Sequence, residues 1–210
     1  MLSTKLSQLL KASALLMGLL PGLASAADVA AGKSAYAVCA ACHGQNGEGN
    51  LAMNAPKIAG QEGWYIKRQL DAYKSGMRGT GSGDVYGMQM RPMAMAVADD
   101  TAVENLIAYV GTMPVAKPEA TISGDAAAGK GAYAVCAACH GQNAEGNEQL
   151  GGPRLAGLND WYLARQIQNY NSGSRGYDSK DIFGSQMKPM AATLNSDAAI
   201  NNVVAYINSL

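Results

Sequence analysis

Cys39-Ala40-Ala41-Cys42-His43 recurs, residue for residue, as Cys136-Ala137-Ala138-Cys139-His140. Two cysteines separated by two residues on a helical turn present both thiols to one side, and the next residue turns its imidazole beneath them. In that arrangement Cys-x-x-Cys-His reads as an attachment site for haem c, with two thioethers to the porphyrin and histidine as the proximal iron ligand. Two sites imply two covalently bound haem c groups. Other readings fit less well. A thioredoxin-like pair needs a βαβ context, and no strand-like alternation surrounds these cysteines. A shared four-Cys zinc site would join pairs 97 residues apart and leave each following His unexplained. A disulfide within each pair, between adjacent helical turns, has poor geometry.

Upstream of the first pentad, residues 1–26 read as a secretory signal peptide. Lys5 and Lys11 form a basic start, Ala12 to Leu20 a short apolar run, and Ala24-Ser25-Ala26 a small-x-small cleavage pattern. The run is shorter than the ~20 apolar residues of a membrane-spanning helix. Export places the protein in a periplasm, and the four Cys are all committed to haem. The remaining 184 residues (210 minus 26) suffice for two small domains. They carry 14 Lys+Arg against 16 Asp+Glu and no basic stripe, which excludes a nucleic-acid binder. With one Phe and two Trp in the whole chain, each small core needs apolar volume from elsewhere, and the porphyrin supplies it.

The second half repeats the first at a constant offset of 97: from Asp28 to Asn50, 20 of 23 positions are identical in Asp125 to Asn147. The register continues through Pro56/Pro153, Gly60/Gly157, Trp64/Trp161, Met90/Met187 and Tyr109/Tyr206. A repeat of this period is a duplicated domain, not a solenoid. Each copy reads as helical, which makes the fold class all-α. Asp28 caps an Ala-rich helix leading into the pentad. Trp64 to Ser75 forms a second helix, with Ile66, Leu70 and Tyr73 on one face and Gly76 as its stop. A third carries Val103, Leu106, Ile107 and Val110 and ends at Gly111. The expected boundaries are an N-terminal domain 27–111, a linker 112–124 stiffened by Pro114 and Pro118, and a C-terminal domain 125–210.

The two His of the chain, His43 and His140, both belong to the pentads, so the sixth iron position falls to Met thioether, Lys, Tyr or nothing. If both copies hold iron alike, a Met ligand must recur at +97. That leaves the pairs Met90/Met187 and Met93/Met190, each within Gln-Met-(Arg/Lys)-Pro-Met-Ala, which reads as a loop between the second and third helices. Spacing does not choose between the pairs. Trp64, Trp161, Arg78 and Arg175 also recur; contact with haem propionates competes with core packing for the Trp and a solvated face for the Arg.

The ordered set resembles the cytochrome c4 family, dihaem proteins made of two class I cytochrome c domains. It comprises the tandem Cys-x-x-Cys-His, Pro-Lys-Ile-Ala-Gly and Pro-Arg-Leu-Ala-Gly, the Tyr-x-x-x-Gln-Leu/Ile helix and Met-x-x-Met, and it covers residues 27–210. The resemblance implies axial ligation by His43 with Met90 and His140 with Met187, and attachment through Cys39, Cys42, Cys136 and Cys139. It also implies that the Pro56 and Pro153 carbonyls accept a hydrogen bond from the proximal imidazole, where the competing reading is a proline that merely stops a helix. Domains of this family can differ in charge; here residues 27–113 and 114–210 each hold seven basic and eight acidic residues.

His/Met ligation fills the iron and raises its reduction potential, which suits a one-electron carrier and leaves no place for a small-molecule substrate. The resemblance implies a periplasmic carrier, soluble or loosely membrane-associated, from a quinol-oxidising complex of the bc1 type to a terminal oxidase. Two alternatives stand beside it: the cytochrome subunit of a dehydrogenase, such as a flavocytochrome of sulfur oxidation, and a dihaem enzyme, either a peroxidase or a thiosulfate-oxidising cytochrome.

Overall fold

The computed structural model describes residues 26–210, so the expected signal peptide lies, but for Ala26, outside the described residues. Within them all regular structure is helical, eight α-helices and a 3-10 turn at Glu148–Leu150 joined by loops, with isolated β-bridges at Asn50/Ala55 and Asn147/Gly152. The first unit contains α1 (Val29–His43), α2 (Gly63–Ser75), α3 (Val85–Ala96) and α4 (Asp100–Val110). The second repeats them as α5 (Ala126–His140), α6 (Asp160–Asn171), α7 (Ile182–Ala192) and α8 (Asp197–Ser209).

Local chemistry sets the ends. Asp28 accepts from the amides of Ala30 and Ala31 at 2.8 and 3.1 Å, and Asp125 caps α5 in the same way. Gly76 ends α2 in the left-handed conformation that side chains disfavour. The Met-Pro-Met segments depart from the sequence reading: they are helical, and Pro92 and Pro189 sit inside α3 and α7. Proline removes one backbone donor, but the Met- and Ala-rich surroundings favour helix. Asp84 and Asp181 also cap these helices through the amides of Gly87 and Gly184.

The first core is built by Tyr36 of α1, Leu70 and Tyr73 of α2, and Val103, Leu106 and Val110 of α4. Its key contact is the crossing of α1 on α4. Gly32 lies so close to α4 that a Cβ there would run into the carbonyl of Asn105, and Gly129 meets Asn202 in the same way. Tyr36 and Tyr109 pack with ring centroids 5.5 Å apart just beyond the crossing, as do Tyr133 and Tyr206 at 5.4 Å.

The two units pack against each other about a quasi-twofold axis, as an isologous dimer would. The Lys57 amide donates to Asn159 Oδ1 at 2.6 Å, and the Arg154 amide donates to the Glu62 carboxylate at 3.0 and 3.2 Å; Lys57/Arg154 and Glu62/Asn159 are repeat pairs. The Arg68 guanidinium lies 3.9 Å from the Phe183 ring centre, and that of its counterpart Arg165 lies 4.5 Å from Tyr86. Residues 114–125, without regular structure, are pinned along this contact. Buried Lys57 donates from Nζ to Ala116 O at 2.5 Å and to Gly157 O at 2.8 Å. Buried Asp160 accepts from the Thr121 hydroxyl and from the amides of Thr121, Ile122 and Trp161.

Two outcomes follow. Gly129→Ala must push α5 off α8 and lowers stability by roughly 1–3 kcal/mol in chemical denaturation. Burial alone would raise the Asp160 carboxyl, but its hydrogen bonds outweigh burial and hold it below the ordinary carboxylate value. Its stabilising effect is therefore complete above about pH 4, the value of the unfolded group, and is lost as pH falls through the folded one. Asp160→Asn lowers stability at pH 7 by about 1–3 kcal/mol and flattens the acid limb of a stability–pH profile.

Candidate functional site

Each pentad forms the last turn of its helix, so α1 delivers Cys39, Cys42 and His43, and α5 delivers Cys136, Cys139 and His140, to the mouth of a cavity. Beyond the pentad the chain reverses at Gly44, whose carbonyl accepts from Tyr36 OH at 2.7 Å; Tyr133 OH holds Gly141 at 2.8 Å. The Gly49 amide then closes on His43 O at 2.8 Å, which brings the following loop beneath the imidazole.

The imidazoles are oriented by that loop. His43 Nδ1 lies 2.7 Å from Pro56 O, and His140 Nδ1 lies 2.7 Å from Pro153 O. A carbonyl can only accept, so Nδ1 carries the hydrogen and the lone pair is left on Nε2, the atom free to bind a metal. Both imidazoles are buried, and burial pushes them below their ordinary value against the opposing pull of the proline carbonyl. They are neutral at pH 7. Burial also raises Cys39 and Cys136, keeping them as thiols.

The cavities have volumes of about 190 and 170 Å³ and largely apolar walls. Ile66, Leu70, Leu106 and Val110 line the first, and Leu163, Ile167, Val203 and Ile207 the second. Helices α3 and α7 close them with Met90 and Met93, and with Met187 and Met190. Met90 and Met187 are half-buried, and Met90 packs on the first core, whereas Met93 and Met190 are 36% and 43% exposed. Two thiols, a metal-ready imidazole and thioethers around one apolar space fit a covalently held haem. Among the described residues no three His, Cys, Asp or Glu converge as a zinc site would require.

The sequence reading did not find the walls contributed by the opposite unit. Gln61, Tyr65, Gln69, Leu158, Tyr162 and Gln166 line both cavities, so only a layer of side chains separates the two. Of the two sequence readings for Arg78 and Arg175, the solvated face does not hold: they are 5% and 6% exposed and bridge the units. The available signal was the recurrence at +97 of Tyr65/Tyr162, Gln69/Gln166 and Arg78/Arg175, polar side chains kept in register in both copies. Among the described residues no helix is long and apolar enough to cross a membrane.

The family model for cytochrome c matches residues 29–114 and 126–210. Cytochrome c4 of Azotobacter vinelandii is 34% identical over 200 residues, covering 90% of this chain and 92% of that protein. A thiosulfate dehydrogenase electron acceptor of Stutzerimonas stutzeri is 31% identical over 181 residues, covering 80% and 76%. Among solved structures, reduced recombinant cytochrome c4 from Pseudomonas stutzeri superposes with a TM-score of 0.67 at 28% identity, over 88% of this chain and all of that one.

Proposed function

The chain belongs to the cytochrome c4 family, and from that premise we propose that it is an exported carrier moving single electrons between respiratory complexes, one haem per unit. It carries two covalently bound haem c groups and transfers electrons rather than catalysing a reaction. Bound haem supplies a one-electron iron couple. In this reading residues 1–26 direct export to the periplasm and are removed, 27–111 and 125–210 are the haem domains, and 112–124 is the linker. Cys39 and Cys42 hold the first porphyrin, and Cys136 and Cys139 the second. His43 and Met90 ligate one iron, and His140 and Met187 the other. The observation that carries the reading is the convergence, twice, of a Cys-x-x-Cys-His turn and a half-buried Met on one apolar cavity.

The residues divide the work. Pro56 and Pro153 fix the imidazole tautomer and raise its basicity. The Met90 and Met187 thioethers would hold the iron together with the imidazoles, and bound haem would supply there a couple whose ferrous state the thioether favours. The apolar walls exclude water, and the side-chain layer shared by the cavities would be the path by which an electron passes between units. The resemblance to carriers of this family favours a quinol-oxidising complex of the bc1 type as donor and a terminal oxidase as acceptor. A second reading, acceptor for a sulfur-compound dehydrogenase, is supported by the thiosulfate dehydrogenase electron acceptor among the relatives.

An absorption spectrum of the oxidised protein, with haem quantitation, tests the assignment. Two haems per chain and two equivalents of the weak sulfur-to-iron charge-transfer band at the red end are expected. Met90→Ala and Met187→Ala each remove half of that band, and Met93→Ala and Met190→Ala leave it intact. Loss of the band in the latter pair instead overturns the ligand choice.

A further inference from the structure

The two cavity mouths are framed by matching stretches of chain that differ in charge. Residues 50–55 and 80–96 border the first, and residues 147–152 and 177–193 border the second, at the constant offset of 97. Leu51 stands where the second unit has Glu148, Met88 where it has Ser185, and Gly83 where it has Lys180. The second mouth therefore presents Glu148 and Lys180 to solvent, with Asp178, Asp181 and Lys188 half-buried beside them. In the first pair of stretches no charged side chain is exposed. Asp84 is buried, and Arg91 is half-buried and donates from Nε to Tyr73 O at 3.3 Å. Of the other charged residues on the wall of this cavity, Lys57 and Arg78 are buried, and half-buried Arg165 lies 4.5 Å from the centre of the Tyr86 ring.

Apolar surface takes the place of charge at the first mouth. Leu51, Met88 and Met95 are 51%, 49% and 57% exposed, and Val85 is exposed with them. Met88 and Met95 have no methionine counterpart in the second unit, which places Ser185 and Ala192 there. Met53 and Met93 are exposed and also line the cavity, so the patch runs without a break into the mouth. Thioether side chains are flexible and repack against whatever they meet. An apolar patch at the rim of a cavity marks an interaction site. Its lack of charge selects the occupant, because a partner that set an ionised group against it would lose hydration with no opposite charge in exchange.

We propose that the first unit docks an electron-transfer protein whose own contact face is apolar and uncharged, and that the charged second mouth does not take that partner. The inference rests on the reading of the chain as a carrier with one haem per unit, and it names the kind of partner that one unit meets. Docking at the first mouth uses no charge pairs, so salt does not loosen it. The two ends of the carrier are thereby told apart, and two partners need not compete for one surface.

The test uses the full-length, haem-loaded protein and a gold electrode coated with a methyl-terminated alkanethiol monolayer, an apolar, uncharged surface that exchanges electrons with what docks on it. The unaltered protein adsorbs and passes current, and its affinity changes by no more than about twofold from low to high salt. Leu51→Glu combined with Met88→Ser gives the first mouth the residues of the second and lowers that affinity by about tenfold. Neither side chain lines a cavity, so both haems stay bound. Ile182→Ser, at an exposed position of the second unit outside both cavities, leaves the affinity unchanged. Should the double variant fold poorly, the reverse exchange decides: Glu148→Leu with Ser185→Met raises the affinity by about threefold or more, and no gain overturns the proposal. Undiminished affinity in the folded double variant, an equal loss in Ile182→Ser, or adsorption that collapses in salt also overturns it. Two further results overturn it by giving the patch another occupant: a concentration-dependent dimer in sedimentation velocity, or co-sedimentation with phosphatidylcholine vesicles, either of them lost in the double variant. Fewer than two haems per unaltered chain overturns the carrier reading instead, a separate failure.

Discussion

The crossing of the first and last helices of each unit is the constraint on which the rest depends. Gly32 and Gly129 let two backbones approach until only a hydrogen atom fits between helix and carbonyl. Asn105 and Asn202, whose carbonyls press on those glycines, also accept from the Asp28 and Asp125 amides through their side chains at 2.7 and 2.8 Å. One residue of the last helix therefore fixes both the depth and the axial position of the first. With α1 and α5 so placed, two cysteines and a histidine emerge at the cavity mouth without further adjustment. The proline carbonyl then needs to set only the imidazole. A site built on a helix end is held by the packing of the whole helix, which a loop-borne site would lack.

Duplication gives the interface its form. A contact made from the first unit to the second is repeated in the reverse direction when both copies keep the residue, as at Arg78/Arg175 and Gln69/Gln166. The symmetry fails where one chain must join the two units, because a connection runs only once. Lys57 clasps the linker at Ala116, and its counterpart Arg154 makes no such contact. Asp160 clamps Thr121 and Ile122, where the first unit has Gly63. The linker is consequently a fastened strap, and the pose of the two units is set by side chains placed for that purpose as well as by the symmetric contacts.

Much of this was legible in the sequence, and what was not has a physical reason. The pentads, the offset of 97 and the two helices with apolar stripes follow from spacing, and the Ala-rich first helix from its Asp28 cap, because those signals are local. Helices α3 and α7 were read as loops because Pro92 and Pro189 weigh heavily in any local reading; the Asp84 and Asp181 caps and the Ala- and Met-rich turns outweigh one missing donor. The burial of Arg78 and Arg175 escaped because nothing near either arginine in the sequence shows its partner in the other unit. A charged residue reads as solvated until its acceptors appear, and here they arrive from the opposite copy. Preference for Met90 and Met187 over Met93 and Met190 gains support from burial, which spacing could not provide.

The shared wall also explains why so few aromatic residues suffice. Each unit leaves open the space that a large porphyrin fills, and each cavity borrows Tyr and Gln side chains from its neighbour to complete its inner side. That borrowing divides every haem site into two faces. The inner face is polar, buried and bonded across the interface, so charge there is felt by both units. The outer rim is apolar and exposed, with Val38, Met53 and Met93 on the first unit and Val135, Leu150 and Met190 on the second. Taking such an apolar rim out of water against a redox partner is favourable. The geometry thus separates the two exchanges a dihaem carrier performs: between units through a fixed, solvent-poor layer, and with partners through a surface free of fixed bonds.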